Sequence, residues 1–333
     1  MTLAIRAIMI AVLALMFATH LSAEWFKGNT HTHTVNSGGD STPYATAEWY
    51  RLHGYQFLFI TDHDMATDTA ALNTMIDSNG QFLVLPGEEV TSEFKTPQGN
   101  IYVHVNALGP QKIIESVRGT SVRDTLQKDI DAVREAGGLA QINHPNYMWQ
   151  ITEDDLVAVH GASLLEIMNM HPLVNSTGAG PEYPSVEDLW DKVLSRGVKM
   201  WGVASDDTHD LLPTLEAEGL PGKGWIVVRS QHLTAQDISG AIKSGDFYAS
   251  TGVTLKDYQA TDGGITITIQ NDGPFLRRTR TQFIGVDGAV LKDTTSNPAT
   301  YSFTGQEVYV RARIVDSNGN RAWTQPMFVH DGR

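Results

Sequence analysis

The chain contains no cysteine, and this absence excludes several kinds of chemistry at once. Without a thiol there can be no disulfide, no cysteine nucleophile and no thiolate metal site. Any nitrogen ligand for a metal must therefore come from the twelve histidines, and any anionic ligand must come from a carboxylate.

Positive charge is also scarce in the 333 residues. Lysine and arginine number 24 against 38 aspartates and glutamates, which gives a net charge of −14 and a pI of about 5.2. A protein this acidic gains little from counterion release on DNA or RNA, which disfavours a role as a nucleic-acid scaffold. A small anionic substrate stays compatible with this charge if bound metal reverses the local field.

The one long apolar run lies at the N-terminus. Arg6 precedes the run Ala7–Ala18, and the small residues Ser22 and Ala23 follow it. The run is short for a bilayer span, and small residues after it suit a signal peptidase. We predict a signal peptide over residues 1–23, a periplasmic or secreted mature protein and no membrane association after cleavage. An uncleaved anchor helix is the alternative, and the oligomeric state is left open.

The rest of the chain divides into two regions of different pattern. Between Trp25 and Thr251, short apolar strands alternate with amphipathic helical segments, which is typical of an α/β barrel or an open parallel sheet. Beyond Gly252, short alternating runs are separated by Asp-Gly and Asn-Gly turns, which indicates a β-sandwich. We predict an α/β domain over residues 24–253 and a small all-β module over residues 254–333.

Histidines and acids follow most of the predicted strands of the first region. Residues two apart on a strand point to the same face, so His31 and His33 can reach one ion. Loops after the strands of an α/β barrel converge at one end, which would bring the motifs together. Burying them without cations would cost several kcal/mol, so the pattern predicts a metal site. The motifs are His31-Thr-His33, Asp62-His63-Asp64, Gly87-Glu88-Glu89, His104, Asn143-His144 and Asp207-Thr-His209.

Each motif also has a simpler structural explanation when it is taken alone. Asp62, for example, could cap a helix N-terminus beside an incidental histidine. Glu88 and Glu89 are adjacent on a strand and project to opposite faces, so only one of them can face the mouth of a barrel. The metal-site prediction therefore depends on the six motifs together.

Together these motifs resemble the PHP (polymerase and histidinol phosphatase) superfamily, whose signature is HxH, DH, a glutamate, two single histidines and a closing DxH. The resemblance covers about residues 27–252 and implies a distorted (β/α)7 barrel. Within the superfamily, the chain is most similar to the CehA/McbA-type metallohydrolases. That similarity is carried by Glu48–Tyr55, Gly87–Val90, His104–Ala107, Asn143–Asn146, Asn169–Pro172, Ala204–His209, Phe247–Gly252 and Ala322–Pro326.

The resemblance also implies ligands for two or three divalent ions, which would be Zn, Mn or Fe. The family pattern G-x-E selects Glu89 over Glu88 as the carboxylate that bridges two ions. Where the family usually has Ser-Asp after the HxH motif, this chain has Ser37-Gly-Gly-Asp40, so occupancy of a third site stays open. The implied ligands are His31, His33, Glu89 and Asp207 for the first ion, Glu89, His104 and His144 for the second, and His63, His209 and Asp40 for the third.

Three residues are candidates for catalytic roles around these ions. Asp62 is expected to orient His63 or to take a proton. His209 lies among the implied ligands. His171 follows a strand and should face the mouth of the predicted barrel. Tyr147 and Trp149 are candidates for an aromatic wall.

The predicted activity is hydrolysis of a small-molecule ester by a hydroxide that bridges two ions. Phosphomonoesters or phosphodiesters are the leading substrates, because two ions can stabilise both the attacking and the leaving oxygen. The alternatives are hydrolysis of a carbamate, ester or amide at carbon, as in the CehA/McbA type, and a metal-dependent glycan- or ligand-binding protein. A phosphate pocket would normally add Arg or Lys, and such residues are scarce near the motifs.

Overall fold

The structure of the chain is a computed structural model. It describes residues 23–76, 78–97, 99–214, 219–271 and 278–329. Apart from Ala23, the predicted signal peptide lies outside the described residues. Within the described ranges, no helix has the length and apolar character needed to cross a membrane.

Within these ranges, seventeen strands and six α-helices form. The strands are β1 Glu24–Asn29, β2 Phe57–Ile60, β3 Leu83–Thr96, β4 Gly99–Leu108, β5 Leu139–Ile142, β6 Leu164–Asn169, β7 Trp201–Ser205, β8 Trp225–Ser230, β9 Phe247–Ser250, β10 Leu255–Thr261, β11 Gly264–Ile269, β12 Thr279–Ile284, β13 Val290–Thr294, β14 Ala299–Ser302, β15 Tyr309–Asp316, β16 Arg321–Thr324 and β17 Met327–Phe328. The helices are α1 Pro43–Leu52, α2 Thr69–Ile76, α3 Val122–Glu135, α4 Glu153–Ala158, α5 Val186–Ser195 and α6 Ala235–Ser244.

Helix α5 shows how local sequence positions these elements. Ser185 and Asp188 form a capping box at its start, each side chain accepting a hydrogen bond from the backbone N–H of the other residue. Trp190 and Leu194 are one helical turn apart and fully buried against the sheet. The indole of Trp190 donates to the carbonyl of Met200 at 2.9 Å, which fixes the helix beside the start of β7.

Strands β1 to β7 lie in sequence order across one large mixed sheet. β1, β2 and β3 pair in parallel, and so do β5, β6 and β7. β4 runs antiparallel to both of its neighbours, which differs from the predicted strand–helix alternation. The reason is that two residues separate β3 from β4, too few for a crossover helix.

The two ends of this series of seven strands are joined just beyond the strands. The amide of His33 donates to the carbonyl of Thr208 at 2.8 Å, and the amide of Asp207 donates to the carbonyl of His31 at 3.1 Å. These bonds bring the segments after β1 and β7 side by side, at the carboxyl ends of the parallel strands. The complete distorted (β/α)7 barrel stays a prediction.

The C-terminal region is all β, as predicted, but it is not separate from the large sheet. β10, β11 and β14 form a three-stranded sheet, whereas β12, β13, β15 and β16 extend the large sheet through pairing of β16 with β9. Ile267 of the small sheet and Phe283 and Ala312 of the large one belong to the same buried core. This packing is sandwich-like, and the predicted boundary between residues 253 and 254 stays a prediction.

A buried ion network fixes this region to α5. Arg311 of β15 is fully buried, and its guanidinium donates to both carboxylate oxygens of Asp191 at 2.7 and 2.6 Å. It also donates to Glu187 at 2.9 Å. A buried arginine in this geometry compensates two carboxylates that α5 places under the sheet.

Candidate metal centre

Glu89 lies at the centre of the buried histidine cluster, and its two carboxylate oxygens face different sets of imidazoles. Oε2 is 3.2 Å from Nε2 of His31, 3.1 Å from Nε2 of His33 and 3.1 Å from Nδ1 of His63. Oε1 is 3.1 Å from Nδ1 of His104 and 3.3 Å from Nε2 of His144. A carboxylate placed in this way can bridge two cations, one on each side.

Asp207 faces Glu89 across the first pair of histidines. Its Oδ1 is 3.2 Å from Nε2 of His31 and 3.1 Å from Nε2 of His33, while its Oδ2 accepts from Asn169. Asp207 and His144 both have positive φ values, 52° and 22°, which residues other than glycine rarely adopt. The fold therefore holds two of the predicted ligands in strained backbone conformations, as is common at functional sites.

Nε2 of His31 and Nε2 of His33 provide the test of whether a metal fits. Both nitrogens are buried and have no hydrogen-bond partner in the described part of the chain, although carboxylate oxygens lie within 3.2 Å of each. The distances are short but the directions are not those of hydrogen bonds. Ligand atoms of His31, His33 and Glu89 lie within 4.8 Å of one another. Imidazole nitrogens and carboxylate oxygens that converge on one point suit a divalent cation, so the residues fit the predicted metal.

The remaining predicted ligands form adjoining groups. The His33 ring lies 4.5 Å from the His63 ring and 4.3 Å from the His209 ring, centroid to centroid. Besides the group of His31, His33 and Glu89, the described residues contain three more groups of potential ligands. Within each group, the ligand atoms lie within 4.8 Å of one another. The three groups are His33, His63 and His209; His63, Glu89 and His104; and His31, His144 and Glu166.

Asp40, which the sequence pattern predicts as an extra ligand of a third ion, is in none of these groups among the described residues. It is exposed, and its Oδ1 accepts a hydrogen bond from the backbone N–H of Leu211 at 3.1 Å. Its own N–H donates to the carbonyl of His209 at 2.8 Å. Two glycines before Asp40 turn the chain so that the carboxylate caps the 209–211 segment. The third group therefore consists of imidazoles without Asp40.

Glu166 belongs to the candidate site, and the sequence pattern did not indicate it. Its Oε1 lies 2.9 Å from Nδ1 of His31, and its Oε2 accepts from the backbone N–H of His144 and the side chain of Asn169. A carboxylate on the far nitrogen fixes the tautomer of His31 and directs Nε2 towards Glu89. The available signal was a charged residue inside the fully buried strand β6.

Asp62 orients a different histidine from the one predicted. Its Oδ1 accepts from the N–H of Thr34 at 2.8 Å and from the hydroxyl of Ser37 at 2.6 Å. The Ser37 hydroxyl is in turn 3.1 Å from Nδ1 of His33. Asp62 therefore acts on His33 through Ser37. Nδ1 of His63 lies 2.6 Å from the hydroxyl of Thr91 instead.

Burial and charge set the protonation of the cluster in the absence of metal. Burial alone would raise the pKa of Glu89 and Asp207, but the surrounding histidines outweigh it and hold the pKa of both carboxyls well below the usual range. Burial would lower the pKa of His104, but Glu89 and Glu93 raise it to about 9. Burial lowers the pKa of His63 and His209 to about 4, so both are neutral imidazoles at neutral pH.

Glu88 faces the opposite side of β3, as the alternation along a strand predicts. It is fully buried, its Oε2 accepts from the N–H of Ile114 at 3.0 Å, and burial raises its pKa to about 7. The preceding Gly87 permits the close approach of β3 to β2, because a Cβ there would lie 2.8 Å from the carbonyl oxygen of Ile60. Glu89 is thereby placed towards the histidines.

A cavity of about 210 Å³ opens onto the histidine cluster. Tyr147, His171, Leu173 and Val174 line its walls, and Glu93 lies at its edge. His171 lines this cavity, with its ring 5.2 Å from the ring of His209. Trp149 packs on Tyr183 instead and does not line the cavity. Among the described residues, no lysine or arginine lines it.

No family model matches the chain, and no curated protein matches it. Among solved structures, the chain is similar to a two-domain protein from Bacteroides vulgatus that contains a predicted PHP-like metal-dependent phosphoesterase. The two share 15% identity with a TM-score of 0.50, over 92% of this chain and 96% of that one. At this identity the likeness shows the fold.

Two further solved structures are similar over 58% of this chain and 92% of their own length. One is a putative metal-dependent phosphoesterase from Bifidobacterium adolescentis, at 17% identity and a TM-score of 0.39. The other is an amidohydrolase from Chromobacterium violaceum with bound sulfate and no metal, at 16% identity and a TM-score of 0.38. Likenesses of this strength do not bear on the activity of this chain.

Proposed function

We propose that the chain is a metal-dependent hydrolase of the PHP superfamily and that it hydrolyses phosphoesters. The observation that carries the proposal is the convergence on Glu89 of two buried imidazole nitrogens that have no hydrogen-bond partner among the described residues. The second oxygen of Glu89 faces a further pair of histidines. The fold shared with a protein that contains a PHP-like phosphoesterase supports it.

In this proposal the protein holds two or three ions through the groups described above. Glu89 would bridge the first two. Asp207 would neutralise the first ion, and Glu166 and Asp62 would keep His31 and His33 in the tautomers that present Nε2. The ligands are His31, His33 and Asp207 for the first ion, His104 and His144 for the second, and His63 and His209 for a third.

Divalent ions bound at such a centre supply an acidified water and polarise the oxygens of the ester. In the reaction, the water oxygen forms a bond to phosphorus, the phosphorus–oxygen bond of the ester breaks, and a proton of the water ends on the leaving oxygen. His171 lies on the cavity wall, outside the four ligand groups. In this proposal it would deliver a proton to the leaving oxygen.

Hydrolysis at carbon, of a carbamate, ester or amide as in the CehA/McbA type, is the second candidate. The observation that favours it is the absence of lysine and arginine from the lining of the cavity among the described residues, since phosphate groups are usually held by such cations. A metal-dependent binding protein is the third candidate and requires that the metal-loaded protein turn over no ester.

The test is a substrate panel on mature protein reconstituted separately with Zn, Mn and Fe. The panel contains p-nitrophenyl phosphate, its bis-ester and an aryl carbamate, and His31→Ala serves as the metal-deficient control. We expect phosphoester turnover that is lost with the metal. Turnover of the carbamate alone would move the reaction to carbon, and turnover of no ester by fully loaded protein would contradict a hydrolase.

Export is a separate proposal and rests on the N-terminal sequence pattern alone. N-terminal sequencing of the protein from its native host should begin near Glu24. A mature cytosolic protein that begins at Met1 would contradict it.

A further inference from the structure

Glu93 has a position that the metal centre does not account for. It lies four residues after Glu89 on β3, so the two side chains project from the same face. Its side chain is 43% exposed and lines the cavity. Its Oε1 is 3.1 Å from Nε2 of His104, the ring nitrogen that points away from Glu89. It belongs to none of the four ligand groups within the described ranges.

The charge around Glu93 is one-sided. The other two carboxylates of the cavity, Glu89 and Asp207, are directed at histidines that would hold ions. No lysine or arginine from the described part of the chain lines the cavity to offset Glu93. The histidine that contacts Glu93, His104, would be a neutral imidazole while it holds an ion. Glu93 therefore presents a carboxylate to the cavity.

We propose that Glu93 is a specificity-determining residue that disfavours doubly charged phosphomonoesters, so that the preferred substrates are esters with at most one negative charge. The inference rests on the proposed hydrolase function. A phosphomonoester dianion would meet the Glu93 carboxylate without a guanidinium or ammonium to offset it. A phosphodiester carries half that charge and meets half the repulsion.

Glu93 also holds the ring of His104, so its effect on charge must be separated from its effect on position. Glu93→Gln removes the charge and keeps an oxygen that can accept from the N–H of His104. A loss of positioning would slow all substrates alike. A loss of charge would change the ratio between substrates that differ only in charge.

The kinetic test compares p-nitrophenyl phosphate with methyl p-nitrophenyl phosphate, which have the same leaving group and differ by one negative charge. Metal-loaded wild type and Glu93→Gln are measured at pH 8, with metal content determined for both. Glu135→Gln, an exposed glutamate at the end of α3, is the charge-matched control. We expect Glu93→Gln to raise kcat/KM for the monoester about tenfold and that for the diester about threefold.

Glu135→Gln should leave kcat/KM for both substrates unchanged. Added salt should reduce the difference in kcat/KM between wild type and Glu93→Gln. An unchanged ratio of kcat/KM between the monoester and the diester in Glu93→Gln would overturn the inference. A wild type whose kcat/KM is higher for the monoester than for the diester would overturn it as well.

A binding measurement tests the same charge effect without turnover. Calorimetry on metal-loaded protein compares inorganic phosphate, mainly a dianion at pH 8, with dimethyl phosphate, a monoanion. Glu93→Gln should tighten binding of phosphate more than binding of dimethyl phosphate, and equal changes would contradict the inference. If the protein hydrolyses neither ester, the proposed function fails, while this comparison still decides the role of Glu93.

Discussion

Two buried clusters of charge in this protein are built in different ways. In the first, Arg311 bonds Asp191 and Glu187 through Nε and Nη2, and only Nη1 has no hydrogen-bond partner among the described residues. In the second, Glu89 and Asp207 face His31 and His33, and the Nε2 atoms of these two histidines have no such partner.

The difference shows which cluster is complete by itself. The Arg311 cluster contains a permanent cation, so its carboxylates are compensated by the chain alone. The Glu89 cluster contains no arginine or lysine, and its imidazoles can compensate the carboxylates only by taking up protons. A divalent cation would replace those protons and occupy the nitrogen lone pairs. We infer that the first cluster stabilises the fold and the second binds metal.

The largest expected effect comes from removing the bridging charge. Glu89→Gln should lower turnover about a thousandfold, because several kcal/mol of charge stabilisation at the ions would be lost, and metal content should fall with it. Glu88→Gln is the matched control, since it keeps an acceptor for Ile114 on the opposite face of the strand. Elemental analysis and rates on both variants decide this. Loss of metal in Glu88→Gln alone would contradict the assignment.

Disruption of the Arg311 cluster should lower the stability of the protein and leave metal binding unchanged. Arg311→Met leaves Asp191 buried without its arginine partner, while Glu187 keeps Arg313 at 3.2 Å. The free energy of unfolding should therefore fall by about 3 kcal/mol or more. Arg280→Met is the matched control on β12, where the arginine is exposed and its pair with Asp293 contributes less than about 1 kcal/mol. Denaturant titration and metal analysis of the folded protein test this. Metal loss from folded Arg311→Met would break the contrast between the clusters.

Glu166 provides a smaller and more selective test of the metal cluster. Glu166→Gln weakens the group that orients His31, so metal affinity should fall roughly 10- to 100-fold. Glu187→Gln, the same change at the Arg311 cluster, should lower stability and leave affinity unchanged. Competition with a chelator measures both variants. Unchanged affinity in Glu166→Gln would show that it has no role in positioning His31.

The last prediction concerns the pH dependence of metal affinity. The carboxylates of Glu89 and Glu93 raise the pKa of His104 to about 9, so its proton competes with metal at neutral pH. Metal affinity should therefore rise with pH between 7 and 9, by up to about tenfold per unit for each proton displaced. Calorimetry in buffers with different heats of ionisation counts the protons released. A proton release of zero at pH 7 would contradict this account of the site.

The sequence pattern predicted the parts of the site that follow from strand geometry. His31 and His33 were expected to share a face, and the alternation along the strand allowed only one of Glu88 and Glu89 to face inward. The choice of Glu89 came from the resemblance to the family pattern G-x-E. Glu166 was missed because a single acid in an apolar strand gives no indication of its partner. The position of Asp40 depends on hydrogen bonds to the distant 209–211 segment, which no local pattern contains.

The fold likewise could be predicted from the sequence only where it depends on local patterns. The alternation of strands and helices predicted the parallel strands, but β3 and β4 form an antiparallel pair because their connection is too short for a crossover helix. The C-terminal β pattern was recognisable, yet pairing of β16 with β9 joins residues far apart in the chain. Which strand edges meet is decided by packing of the whole molecule, including the ion pairs of Arg311.

Anomalous diffraction at the zinc edge, from crystals of zinc-reconstituted protein, tests the contrast between the clusters most directly. The account predicts at least two peaks, one on each side of the Glu89 carboxylate and about 2.0–2.2 Å from histidine nitrogens and carboxylate oxygens. It predicts no peak beside Arg311. A folded, zinc-equilibrated protein with no peak near Glu89 would contradict the metal centre.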